Sequence, residues 1–280
     1  MQYANPCRTG KRMSDVAEMK GAPPVVERII CMYHAPIPQE MFSEKLSTWG
    51  SKIGESYPDV QPISDWNLSV PMQNGNPDFA RVVPELKLRY RYWGSGDFDD
   101  RVWCVQCLPN AVCFNVRRER ANIHGYAELK KRAMALLPEW SEHFDVRRFL
   151  GAEVQYVNRL NAELTPQFME QPGRLMIGKV FKLLTNIPMP DYTIVQPYDC
   201  TVTLTKEEIP QSKLTVRVVA EKDGTRSGVA IHLGCIILPD DHDFDGQNAA
   251  NLLDIAHDRA NDAFRRLFTE YALKTFGLLP

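Results

Sequence analysis

The sequence predicts an α+β protein, with antiparallel sheets covered by long helices, and three patterns lead to that expectation. Over residues 248–276, Leu253, Ala256, Ala260, Phe264, Leu267 and Tyr271 recur three or four apart, as on one face of a single long amphipathic helix. Near residue 90, Leu86, Leu88, Tyr90 and Tyr92 alternate with Lys87, Arg89 and Arg91, giving a strand one apolar and one cationic face. Hairpin signals at 102–116 and 214–238 are each followed by a helical pattern, so two similar β-hairpin-plus-helix halves are expected. The halves span 23–150 and 151–280, behind a flexible leader at 1–22.

Taken in order, Val25, Val26, Ile29, Ile30, Met32 and Tyr33 form a β-rich run that stops at Pro36 and Pro38. Phe42, Leu46, Trp49, Ile53 and Tyr57 then follow helical spacing, closed by Pro58. Residues 58–84 are rich in Pro, Asn, Asp and Ser and read as a loop, part of which pairs as an edge strand around Leu68 and Val70. After the alternating strand, Pro109-Asn110 turns a hairpin between residues 102–108 and 112–116. Tyr126, Leu129, Ala133, Leu136, Trp140 and Phe144 make a helix that Pro138 kinks or splits. A strand at 153–160 and a short helix at 175–184 precede the Pro188–Pro190 break. Strands are expected at 192–205, 214–220 and 229–238, the last two joined through Asp223-Gly224. Gly277 follows the last periodic residue, where a helix stops.

Bulk properties narrow the class. Hydrophobic content of 44% with 24% charged residues fits a globular chain, and a net charge of -2 argues against a protein devoted to non-specific nucleic-acid binding. No apolar run approaches the roughly 18–20 residues needed to cross a bilayer, so no membrane partner is expected. Residues 1–20 lack a signal peptide's apolar core. Seven cysteines, several inside strand patterns, read as free buried thiols in a reducing cytoplasm.

Four constellations could carry chemistry. Cys104 and Cys107, with Cys113 nearby, have the spacing of a zinc knuckle, but a strand would send the first two to opposite faces, which favours packed, inert thiols. Asp241, Asp243 and Asp245 ahead of Gly246 resemble the start of a calcium loop, yet Leu252 stands where such a loop needs glutamate. A solvated acidic turn at a helix N-terminus explains them more simply, and no metal or cofactor is assigned. His257 has Asp254 three residues before it and Asn261 four after it, so one helical face could hold a polar site in which the carboxylate orients the imidazole. A satisfied, half-buried histidine is the simpler account. Lys87, Arg89 and Arg91 could join Arg117, Arg118 and Arg120 in a basic patch for a phosphate-bearing or single-stranded ligand. Because Tyr90 and Tyr92 would face away from those charges, a solvated strand face is favoured. Walker, GxGxxG, HExxH and GxSxG motifs are missing.

Pro23-Pro24-Val25-Val26-Glu27, the strand Glu153-Val154-Gln155-Tyr156-Val157-Asn158, and the helix segment HDRANDAF from His257 to Phe264 occur in a set order. Their order and spacing resemble a sporadically distributed bacterial family of uncharacterised proteins, with PxVE, Y-[IV]-N and H-x-x-[IA]-N-x-x-F motifs, over about residues 23–276. Residues 121–124 (Ala-Asn-Ile-His) depart from the Asn-Trp-Arg-like stretch common in that family. The resemblance implies an accessory gene of a defence or mobile-element system, and no reaction. Tyr156, Asn158, His257 and Asn261 would be polar groups on buried elements, each needing a hydrogen-bond partner.

The function expected first is therefore a non-catalytic binding or interaction protein with a protein partner or a second copy of itself. A ligand-binding module with a cavity between sheet and C-terminal helix is the next reading. A metal-dependent hydrolase is the third.

Overall fold

Strand alternation is the dominant local pattern, and it builds one large sheet. The computed structural model describes residues 24–69, 72–73, 76–77, 83–94, 101–118, 123–171, 174–182, 199–206, 211–223, 226–238 and 246–279. Its strands are β1 (Val25–His34), β2 (Asp59–Ser69), β3 (Val83–Trp93), β4 (Trp103–Leu108), β5 (Ala111–Arg117), β6 (Phe149–Leu160), β7 (Asp199–Lys206), β8 (Gln211–Asp223) and β9 (Arg226–Leu238). They form a nine-stranded sheet in the order β7-β8-β9-β6-β1-β5-β4-β3-β2, and every neighbouring pair is antiparallel. The helices are α1 (Gln39–Ile53), α2 (Tyr126–Phe144), the single turn α3 (Ile177–Val180), α4 (Gly246–Leu267) and α5 (Glu270–Thr275). The class is mixed α and β, with strand predominating.

Register assigns the two faces of the sheet. Ile30 pairs with Phe114 and Val154, and Met32 with Val112 and Ala152, so the even-numbered residues of β1 share one face with these apolar side chains. All of them are buried in one core that also takes in Phe42, Leu46 and Trp49 of α1, Leu129, Ala133 and Trp140 of α2, and Leu253, Ala256 and Ala260 of α4. α4 packs on β6 and β9, and α2 on β1 and β5. Trp49 and Trp140 meet edge to face at 5.4 Å, a favoured aromatic geometry.

Several expectations change here. The edge strand expected within 58–84 is β2, which pairs along its length with β3 and begins at Asp59, well ahead of the pieces expected around Leu68 and Val70; Val70 lies outside the described residues. The Pro and Asp content of β2, which reads as loop, is tolerated because an edge strand needs donors on one side only. The terminal helix is not continuous: α4 ends at Leu267 and α5 begins at Glu270. Thr269 takes an extended backbone and its Oγ1 accepts from Ala272 N at 3.2 Å, so it caps a new helix. Phe268, buried beside Phe264 and Phe276, bridges to Phe181. The break also turns Tyr271 out of the expected stripe, and it is exposed. Gly277 closes the chain's last helix with φ 69, a left-handed conformation that suits glycine.

Pro138 neither splits nor ends α2, which runs as one helix with the proline on its exposed side. Leu137, Trp140 and Phe144 are buried around it and hold the helix against the sheet. Among the described residues of the helix expected at 175–184 only the turn α3 is helical, and Leu175 pairs as a strand with Met169; residues 183–184 lie outside the described residues. Cys31 and Cys113, directly opposite across β1 and β5 with Cα atoms 4.1 Å apart, are joined as a disulfide, against the expectation that all cysteines are free thiols. Only register between two strands distant in sequence brings them together. Among the described residues no helix is long and apolar enough to cross a membrane.

Candidate functional site

Two polar arrangements stand out, one on each face of the sheet. The first lies on the helix-packed face and centres on His257 of α4. Tyr156 stands on β6 opposite Arg28 of β1 and Leu233 of β9, pointing toward the helices. Its hydroxyl is hydrogen-bonded to His257 Nδ1. Asn261, one turn further along α4, places its amide 3.0 Å from His257 Nε2. Tyr126, the first residue of α2, stacks on the imidazole at 3.8 Å and 5°.

Asp254 shares the α4 face as the spacing predicts, but it does not hold the imidazole. It accepts from Tyr126 Oη at 3.2 Å and pairs with Lys130 Nζ at 2.7 Å. The expectation of a carboxylate orienting the ring is therefore corrected: Tyr156 and Asn261 do that work, because α2 reaches Asp254 first. Asn158 is fully buried; its amide donates to Ile231 O at 3.4 Å, and its Oδ1 accepts nothing among the described residues.

The electrostatics keep this cluster neutral at its centre. Burial lowers the His257 pKa, with Asp258 and Asp254 opposing and Arg28 and Lys130 adding to the shift. Burial likewise pushes Tyr156 well above the ordinary tyrosine range, against the pull of Arg28. Burial and then Asp254 do the same to Tyr126. A neutral imidazole has one N–H and one lone pair. Here both ring nitrogens are engaged, Nδ1 with Tyr156 and Nε2 with Asn261, and one ring face is covered by Tyr126. The arrangement ties α4 to β6 through Tyr156 and to α2 through Tyr126.

The second arrangement lies on the opposite face. Arg91 Nε donates to Gln106 Oε1 at 3.1 Å, Gln106 Nε2 to Asn115 Oδ1 at 2.9 Å, and Asn115 Nδ2 to Glu27 Oε1 at 2.8 Å. These residues come from β3, β4, β5 and β1, so a cation and a carboxylate are joined through two amides across four strands. Every donor points the same way, toward Glu27, an arrangement in which each bond polarises the next. Tyr33 on the same face donates to Glu153. Gly234 makes room for that carboxylate: a Cβ there would lie 2.7 Å from Glu153 Oε1.

The expected basic patch is only partly assembled. Arg91 is tied into the ladder, while the exposed Arg117 lies 5.6 Å from the centre of the Trp93 ring. Arg118 turns elsewhere and donates to Val25 O at 2.8 Å, close to Arg28. Arg89 shares the strand with Arg91, whereas the Lys87 side chain and Arg120 lie outside the described residues. Tyr90 and Tyr92 do face the core, opposite the cations. The aromatic beside the charges is Trp93, whose ring centre lies 5.9 Å from Arg101 and 5.6 Å from Arg117.

Cys104 and Cys107 fall on opposite faces, facing Asn115 and Val112 respectively. Burial pushes the Cys104 thiol up to about 12 and Cys235 up to about 11, so neither supplies a thiolate near neutral pH. Asp241, Asp243 and Asp245 lie outside the described residues. Among those described, no three His, Cys, Asp or Glu residues are grouped to hold a metal ion.

Sequence reasoning missed Arg28, Tyr126 and Lys130 as members of the inner cluster. Arg28 left a signal, since its even number puts a cation on the same side as Ile30 and Met32. The fold and these sites define an α+β protein built on a nine-stranded antiparallel sheet with a polar cluster on each face. Comparison with protein-family models and with curated proteins returns no match.

Proposed function

We propose that this chain is a non-catalytic interaction protein that takes a protein partner by strand addition at β7. The observation that carries the reading is the outer edge of the sheet. Residues 201–205 of β7 are all exposed, with Val202 at 45% and Leu204 at 54%. Among the described residues β7 has β8 as its one neighbour in the sheet, and no described strand pairs with its other edge, whose backbone donors and acceptors another strand can meet. The closed state of His257, whose nitrogens and ring face are occupied from within, supports the non-catalytic part.

Supporting the choice over an enclosed ligand cavity is the packing under α4, where Leu253, Ala256 and Ala260 are fully buried in the core. The similarity of the two halves is part of the proposal. Each opens with a strand, β1 or β6, that pairs with the last strand of its own meander, β5 or β9, and each ends in a helix on that pair. The accessory role in a bacterial defence or mobile-element system rests on the motif resemblance alone.

Affinity capture from the native host tests the proposal. A defined partner is expected with the unaltered chain and is lost when Val202 and Leu204 are both changed to Lys. Recovery of the same proteins by both forms, or of neither a host protein nor a second copy of the chain, refutes strand addition at β7. Neighbouring genes for a nuclease, an ATPase or a toxin would support the accessory role.

A further inference from the structure

We infer that the strand β7 takes is β7 of a second copy of this chain, antiparallel about a two-fold axis normal to the sheet at Thr203. The inference deepens the interaction reading above and rests on it. Three observations lead to it.

The first is the difference between the two edges. The β2 edge carries Pro62 with Asp59 and Asp65, and Asp59 is ion-paired with Arg101. Proline and charge on an edge strand discourage pairing. Residues 201–205 read Thr-Val-Thr-Leu-Thr, with no proline, no glycine and no charge. Left open, such an edge is an aggregation hazard, so a specific occupant is expected.

The second is self-complementarity. Register with β8 sets Val202 opposite Val216 and Leu204 opposite Leu214, and β9 in turn sets those two opposite Leu233 and Cys235 of the core. Val202 and Leu204 therefore continue the apolar face of the sheet, while Thr201, Thr203 and Thr205 line the other. A two-fold normal to the sheet keeps like faces together. Centred on Thr203, it sets Val202 against Leu204 of the second copy, Leu204 against Val202, Thr201 against Thr205, and Thr203 against itself. Four apolar side chains then meet on one face and threonines pair on the other, combinations that stabilise antiparallel neighbours. A shift to a two-fold at Val202 sets Leu204 against Cys200 and Thr205 against Asp199. At Leu204 it sets Val202 against Lys206.

The third is chemistry at the edge itself. With no charge over 201–205, like-charge repulsion between identical strands does not arise, as it would if β2 paired with β2. A ladder this short lies at the small, transient end of protein interfaces, so association is concentration-dependent.

Sedimentation of the full chain across a concentration series, combined with cysteine cross-linking, tests the inference. The expected result is a shift from one chain, 32.0 kDa, to twice that mass as concentration rises. Changing Val202 and Leu204 together to Lys weakens the association at least tenfold. Directly opposite residues of an antiparallel pair lie about 4.5–5.5 Å apart at Cα, within disulfide reach. Thr203→Cys therefore gives an oxidised dimer on a non-reducing gel well above the unaltered chain, and Thr201→Cys does not. A chain that stays monomeric overturns the inference, as does a dimer that ignores the Lys pair or cross-links equally at both positions. If the chain is monomeric yet loses a captured host protein in the Lys variant, the second copy is excluded and strand addition stands. Loss of both outcomes removes both.

Discussion

Tyr156→Phe removes one oxygen from the polar cluster under α4 and changes little else. Tyr156 is 5% exposed, and its hydroxyl is bonded to His257 Nδ1, so water has little room to replace it. Leaving a buried group without its partner costs about 1–3 kcal/mol. His257 is only half-buried, so solvent recovers part of its side and the expected loss is about 1–2 kcal/mol. His257→Leu removes the ring from its stack on Tyr126, adding about 0.5–1.5 kcal/mol to a hydrogen-bond loss of similar size. In the double variant neither partner is left stranded, so its cost falls short of the sum of the two by about 1 kcal/mol. Urea unfolding followed by tryptophan fluorescence measures all four proteins, with an unchanged denaturant slope as the check on two-state behaviour. Additivity within about 0.5 kcal/mol would refute the view that hydroxyl and imidazole form a closed pair.

The buried His34 and the half-buried His257 make stability pH-dependent. Burial lowers the pKa of both His34 and His257 in the folded chain, so the unfolded chain takes up protons first as pH falls. Stability is full above the ordinary histidine value of 6.5 and is lost as pH drops through the folded values. The melting temperature should fall over that range, less steeply in His257→Gln; equal slopes would exclude His257 as a source. Asn115→Ala cuts the cross-strand ladder in the middle and should cost about 1–3 kcal/mol in urea unfolding, because Gln106 and Glu27 both lose a partner. Thr269→Ala removes the cap between α4 and α5 and should cost about 1 kcal/mol, read as a lowered urea midpoint. Thiol titration in denaturant should find at least two fewer reactive cysteines before reduction than after, and equal counts would exclude the Cys31–Cys113 bond.

Much of the fold was legible because period and parity are local. The alternation of β3, the hairpin at Pro109-Asn110 and the helical spacing of α1 and α2 depend on residues close in sequence. What escaped depends on contacts between distant segments. Within residues 58–69 only the stretch near Leu68 reads as strand, and its extension back to Asp59 shows only when β3 pairs alongside. The stripe of α4 continues in phase past Leu267, so the break shows only where Phe268 meets Phe181 and Thr269 caps. Asp254, His257 and Asn261 were visible as one helix face, but the ring's actual partners were only half visible. Asn261 came from spacing; Tyr126, at the head of a helix 131 residues earlier, read as core. The disulfide needed the register of β1 against β5, which no local pattern encodes.

β1 is the first of the described strands and the middle one in the sheet, fifth from either edge. Its neighbours arrive late: Ala111, which faces Tyr33, lies 78 residues downstream, and Tyr156, which faces Arg28, lies 128 downstream. During synthesis β1 therefore emerges without either neighbour, gains one side when β5 is made, and keeps an open edge until β6 follows. Closing loops of that length before any sheet contact is rewarded makes folding slow. An open apolar strand in the meantime is a surface that chaperones recognise and aggregates share. Once closed, the same strand has neighbours on both sides, and its amides should be among the last in the molecule to exchange with solvent.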